Sequence, residues 1–203
     1  MGRTRSFDEE VALDRAMRLF WKQGYEGTSL EDLTSTLGIA KPSLYAAFGN
    51  KRALFTKAVE RYIRGVGAEL QRALDEPRAE DVVRRFLRIY TEVRTDAPPG
   101  CFLVQGALAC SPESAEVQHE VAERRQEAEA LLAQRLARAQ KEGDLPAEAR
   151  PNDLAKYVCT VAQGLSVQAA GGATTAQLRR VAELALMNWT ALAGEKRRPE
   201  GRR

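Results

Sequence analysis

The 203-residue chain contains one histidine, His119, and three cysteines, Cys101, Cys110 and Cys159. A lone imidazole with dispersed thiols cannot assemble a zinc site, and no C-x-x-C pair is present. Nucleophilic catalysis likewise lacks a Cys–His or Ser–His partnership beyond that single ring. No glycine-rich phosphate loop occurs, so no cofactor and no metal are expected. No apolar run approaches the ~20 residues that a membrane span requires. The opening MGRTRSFDEE turns acidic at once and has no apolar stretch of the secretory kind. With an odd number of cysteines, a reducing cytoplasm is the natural compartment. Neither sign of charge dominates: 31 Lys and Arg stand against 28 Asp and Glu, a net +3. Affinity for nucleic acid would therefore have to come from local placement of cations. Strand-like alternation and hairpin signals are missing too. What remains is an all-α chain, long enough to bury a substantial core.

The most informative stretch is Thr28–Leu54, TSLEDLTSTLGIAKPSLYAAFGNKRAL. Thr28 and Glu31 have capping-box spacing, which predicts a helix from Ser29. Leu30, Leu33 and Leu37 make one apolar stripe, and Gly38 stands where a helix end favours positive φ. A second helix follows Ala40, with Pro42 tolerated in its first turn. Leu44, Ala47 and Phe48 share one face of it, leaving Lys41, Ser43, Tyr45 and Ala46 on the other. Gly49 ends that helix, and Asn50 can cap a third that opens at Lys51. Two short helices around a glycine turn, with polar groups at the exposed start of the second, form a helix-turn-helix pattern. An ordinary helical hairpin would need the same leucines and glycines. It would not need Tyr45 on the exposed face or Lys51 at a helix start, where the dipole does not favour a cation.

LGIAKPSLYAAFGNKRALF, preceded by FWKQGYEGTSLEDL, resembles the amino-terminal domain of the TetR family of transcriptional repressors over about Ser6 to Leu54. The resemblance implies DNA-backbone contacts from Thr28, Ser29, Ser43 and Lys51. It also implies that Lys41, Pro42 and Tyr45 face bases or the groove wall. Ala46 and Ala47 replace the larger side chains that many members carry, which thins the base-reading surface. Ahead of this domain, Arg3 and Arg5 form a short basic arm that either reaches a minor groove or is simply solvated. Ser6 and Glu9 read as another capping box. The helix after it, with Ala12, Ala16, Leu19 and Phe20 on one face and Gly24 as its stop, should cover the back of the motif with Trp21 and Tyr25 in the core.

From Asn50 the pattern is helical to about Leu74, where Glu76-Pro77 breaks it. An apolar helix spans Val82–Val93, a turn covers residues 96–100, and a short buried helix is predicted over Cys101–Cys110. A long charged helix then runs to Glu142, with a solvated face between Glu120 and Glu129. Leu154, Val158, Val161 and Leu165 stripe the next helix, whose Gly164 suggests close approach of another helix. Thr174 and Gln177 cap the last helix, which is apolar on more than one face. EKRRPEGRR at the end reads as a disordered basic tail.

PPGCFLVQGALACSPE resembles a recurring subgroup of the family in which Gly-Cys opens the short helix. Members generally hold a ligand among the middle helices, which here implies walls from Phe86, Tyr90, Phe102, Gln105, Cys159 and Gln163. Ordinary core packing accounts for any one of these equally well. The family also pairs its last two helices as a dimer interface, implying roles for Leu165, Val181, Leu184 and Trp189. A redox switch at Cys101 and Cys110, which flank one helix, stays open beside the plainer reading of buried inert thiols.

The expectation is an all-α protein in three parts. Residues 1–54 form a helix-turn-helix DNA-binding domain. Residues 55–194 form a helical ligand-binding and dimerisation domain, and 195–203 a basic tail. It would act as a cytoplasmic, homodimeric regulator of a palindromic double-stranded operator, released by a small, largely apolar effector. It would not be an enzyme and would not enter a membrane. The rival is an all-α ligand-binding bundle or enzyme whose hairpin serves packing alone.

Overall fold

The computed structural model describes residues 7–93 and 97–193, apart from the side chains of Thr190 and Leu192. Arg3, Arg5, Ser6 and the basic tail lie outside the described residues. Within them the chain is all-α, with helices and no strand. The chain divides into two compact units, Met1–Ala68 with Arg94–Arg125, and Glu69–Val93 with Gln126–Arg203.

The first unit opens with α1 (Glu9–Gly27), α2 (Leu30–Leu37) and α3 (Lys41–Phe48), followed by α4 (Lys51–Leu74), whose first part belongs here. Asp8 caps α1, accepting the amide N–H groups of Glu10 and Val11. At Gly24 (φ 75, ψ 167) the chain leaves helical geometry. The Tyr25 N–H, which an unbroken helix would give to Trp21, instead donates to the Gly106 carbonyl at 2.7 Å. Only glycine adopts that backbone without strain. Phe20, Trp21, Leu33, Leu44, Phe48 and Phe55 are buried and build the core of this unit.

Phe102 lies at the centre of that core. Its ring centroid is 5.5 Å from Phe55, 5.7 Å from Tyr62 and 6.2 Å from Trp21. It opens α6 (Phe102–Gln105), a single turn where a longer helix was predicted. The Leu103 carbonyl, which would take the next N–H of a continuing helix, is instead bonded by the Arg125 guanidinium, and Leu108 is 58% exposed. A 3-10 turn, Pro112–Ser114, leads into α7 (Ala115–Lys141).

The second unit holds the end of α4, α5 (Ala79–Ile89), the later part of α7, α8 (Pro151–Ala170) and α9 (Thr175–Ala193). Val82, Phe86 and Leu87 of α5 pack with Leu132 and Leu136 of α7, Leu154, Val158 and Leu165 of α8, and Leu178 and Trp189 of α9. Arg135 is nearly buried and donates to the carbonyls of Leu74, Glu76 and Pro77, satisfying the orphan acceptors where α4 stops. The predicted Thr174–Gln177 capping box is formed, with both reciprocal backbone bonds present.

Two expectations for this unit change. Leu165 and Trp189, expected at a dimer interface, are each 2% exposed and belong to the chain's own core. Gly164 meets no other helix of its own chain, since a Cβ added there would find open space.

Candidate nucleic-acid interface

The α2–turn–α3 hairpin is fixed by three local devices. Ser29 caps α2: its Oγ accepts the Asp32 N–H at 3.0 Å, while the Asp32 carboxylate accepts the Ser29 N–H at 2.8 Å. The Ser29 hydroxyl, which also donates to that carboxylate at 2.6 Å, and then the Ser29 N–H hold the Asp32 carboxyl below the usual carboxylate range. Gly38 takes the left-handed conformation (φ 68) that turns the chain. Asn50 Oδ1 accepts the Ala53 N–H at 2.8 Å and starts α4.

The capping box thus lies one residue later than predicted. Thr28 is fully buried, and its hydroxyl donates to the Gly24 carbonyl at 2.7 Å. That placement corrects the reading of Thr28 as a DNA contact, because a buried hydroxyl already bonded to backbone cannot meet a phosphate.

α3 buries Leu44 and Phe48 against the core and turns Lys41, Pro42 and Tyr45 to solvent, with Ser43 half-buried beside them. Tyr45 is 43% exposed, and the Lys41 ammonium lies 6.0 Å from its ring centroid. Neither α3 nor α4 carries an acidic residue in its first turn, so the positive ends of both helix dipoles are uncompensated. Such ends attract anions.

Lys51, at the start of α4, is half-buried with its ammonium 4.3 Å from the Tyr25 ring centroid. Burial lowers its pKa, against the opposing pull of Glu26. Lys57 sits one and a half turns further along, donating to the Ala47 carbonyl at 3.3 Å and lying over the Phe48 ring. Arg61 ties α4 to α1, reaching Glu10 at 2.5 Å and Asp14 at 3.3 Å. Sequence reasoning missed Lys57 and the Tyr25–Lys51 pair. The spacing of Lys57 from Lys51 puts the two off one face of α4 and gives no signal, and only the fold brings Tyr25 and Lys51 together.

A groove of about 430 Å³ in the same unit is lined by Arg15, Arg18, Leu19, Lys22, Thr36, Ala97 and Pro98. Its cations come from one face of α1, at a helical spacing legible in the sequence. None of the six predicted effector-wall residues lines it. Those six are divided between the units. Phe102 is enclosed by aromatics, and the Gln105 amide donates to the Pro99 carbonyl at 2.9 Å. Phe86, Tyr90, Cys159 and Gln163 belong to the second unit, where Phe86 and Tyr90 have ring centroids 5.6 Å apart. Burial, with a smaller push from Glu129, drives the Cys159 thiol up to about 12.

Two buried helical units, one carrying a capped helix-turn-helix whose second helix offers Lys41 and Tyr45 to solvent, define a DNA-binding protein of the regulatory kind. Residues 12–58 match the bacterial regulatory proteins, tetR family, and residues 76–185 match the tetracyclin repressor-like C-terminal domain. The chain belongs to the TetR family, whose members are DNA-binding transcriptional regulators rather than enzymes. It is 35% identical over 195 residues to the HTH-type transcriptional repressor ComR of Escherichia coli K12, covering 94% of this chain and 93% of that one. The repressor BdcR of the same strain is 29% identical over 189 residues, covering 91% and 90%. Among solved structures, a cysteine mutant of the TetR family regulator CifR bound to 26-base-pair operator DNA superposes with a TM-score of 0.89. That match has 40% identity and spans 93% of this chain and all of that one. No described helix is long and apolar enough to cross a membrane.

Proposed function

We propose that the chain is a cytoplasmic, homodimeric repressor that binds a palindromic operator in double-stranded DNA and leaves it when a small, largely apolar effector binds. In this reading Lys41, Pro42 and Tyr45 meet the groove, while Ser29, Ser43 and Lys51 meet the backbone, with Arg3 and Arg5 following the duplex. The observation that carries the reading is the exposed face of α3. A tyrosine and a lysine stand out from a helix whose leucine and phenylalanine are spent on the core. The operator complex of the CifR mutant supports the same use of a similar fold.

Functionally, residues 1–54 would bind DNA, and 55–194 would sense the effector and dimerise. Support for dimerisation comes from Val167, Val181, Leu184 and Met187, which α8 and α9 leave exposed. In this reading Val181 and Leu184 would lie in the interface, and Gly164, one turn from Val167, would let a partner helix approach closely. For the effector, half-buried Tyr90 and Gln163 offer polar groups beside the apolar Phe86 and Cys159.

Fluorescence anisotropy with DNA from upstream of the gene tests the reading. Tyr45→Ala should weaken binding by roughly five- to a hundredfold (about 1–3 kcal/mol) at an unchanged melting temperature. Unaltered affinity, or an unfolded variant, would show that α3 is not the docking face.

A further inference from the structure

A lysine in the first turn of a helix is poorly held by its own element, because the dipole repels it and its four-carbon stem is free to rotate. Lys51 is nevertheless held, with its ammonium 4.3 Å from the centroid of Tyr25, within cation–π range. Tyr25 in turn has little freedom. Its ring stacks on Phe20 at 6.2 Å and meets Phe55 edge-on at 5.1 Å. Its backbone N–H is bound by the Gly106 carbonyl at 2.7 Å, because Gly24 has turned the chain out of α1. The neighbouring Glu26 carboxylate accepts both the backbone N–H and the hydroxyl of Ser111, each at 3.0 Å. Two consecutive residues at the end of α1 are thus fastened to the loop that follows α6, and one of them carries the Lys51 ammonium on its ring.

We infer that Tyr25 is a positioning residue for the Lys51 phosphate contact, its place set by the hydrogen bonds that join Tyr25 and Glu26 to Gly106 and Ser111. The inference rests on the DNA-binding reading of Lys51. The position of the ammonium is then a property of the junction between α1 and the 106–111 loop, and α4 alone does not determine it. Anything that shifts this loop moves a DNA contact without touching the recognition helix.

The test is a double-mutant cycle on the salt dependence of DNA binding, using wild type, Lys51→Ala, Tyr25→Leu and the double variant, with Tyr25→Phe as rescue. Each protein is titrated onto the upstream duplex over roughly 50–200 mM salt. Lys51→Ala should flatten the slope of log affinity against log salt by about one. Tyr25→Leu should reproduce most of that drop, Tyr25→Phe should restore it, and the double variant should fall no further than Lys51→Ala. If Lys51→Ala leaves the slope unchanged, the phosphate reading of Lys51 fails, and the inference with it. If Lys51→Ala flattens the slope while Tyr25→Leu does not, or adds its own drop to that of Lys51→Ala, the positioning role fails and the phosphate reading stands. Should Tyr25→Leu not fold, wild-type NMR decides. The Lys51 methylenes should be shifted upfield by the ring both free and bound to DNA, and loss of that shift in the complex would overturn the inference.

Discussion

Leu184→Arg tests the dimer directly, because the structure separates the apolar residues of α8 and α9 into two sets. Val167, Val181, Leu184 and Met187 are 49%, 50%, 63% and 73% exposed, whereas Leu165 and Trp189 are each 2% exposed. Fully covering such a side chain is worth about 1.5–3 kcal/mol. Weighted by their exposure, the four carry on the order of 5 kcal/mol per protomer and 10 kcal/mol across a two-fold interface. That is comparable with the roughly 4–15 kcal/mol cost of association, so losing one side chain should matter. Leu184→Arg removes about 1–2 kcal/mol on each side and faces the interface with unpaired charge, weakening the dimer by on the order of a hundredfold or more. Sedimentation velocity at micromolar concentration should then show a monomer with its helical circular dichroism retained. Trp189→Ala should behave differently, costing about 3–5 kcal/mol of fold stability through the cavity it opens. A Leu184→Arg protein that sediments as a tight dimer would refute the assignment of this face.

The thiols should separate by reactivity. With Cys159 pushed up to about 12 by burial first and Glu129 second, about one molecule in ten thousand carries its thiolate at pH 8. Burial also raises Cys101, which accepts a hydrogen bond from the Tyr62 hydroxyl. Iodoacetamide should therefore label the partly exposed Cys110 first by mass spectrometry, and equal labelling of Cys159 would contradict that environment. Asp14 supplies a pH test. Burial raises its pKa, but bonds from Arg18 and Arg61 outweigh this and leave it depressed. A depressed carboxyl contributes stability above its unfolded pKa of about 3.9 and loses it as pH falls through the folded value. The melting deficit of Asp14→Asn against wild type should thus be full at pH 7 and shrink below about pH 4; a constant deficit would mean the ion pairs are not its source. Finally, Thr28→Val should cost about 1–3 kcal/mol by orphaning the Gly24 carbonyl. The folded protein should keep its DNA affinity, and a selective loss of binding would return Thr28 to the interface.

Much of the architecture is readable from spacing alone. The Leu30, Leu33, Leu37 stripe and Gly38 give α2, Asn50 and Glu76-Pro77 bracket α4, and Thr174–Gln177 opens α9. The errors have identifiable causes. Thr28–Glu31 and Ser29–Asp32 are overlapping versions of the same cap signal, and burial of Thr28 against α1 decides between them. Periodicity marked α9 as apolar on more than one side, but it does not say which side its own chain covers, so Trp189 and Leu184 looked alike. The short α6 ends early because Arg125, 22 positions downstream of Leu103, takes the carbonyl that would have continued it. Sequence distance hides such a bond, as it hides the pairing of Tyr25 with Lys51.

The most direct test of the regulator reading is selection of bound duplexes from a random DNA pool by the full chain. Two inverted half-sites, with centres one helical turn or a multiple apart, should be enriched, and Tyr45→Ala should abolish the enrichment. A pool that shows no enriched motif after repeated rounds, or the same motif with Tyr45→Ala, would contradict a sequence-reading role for α3.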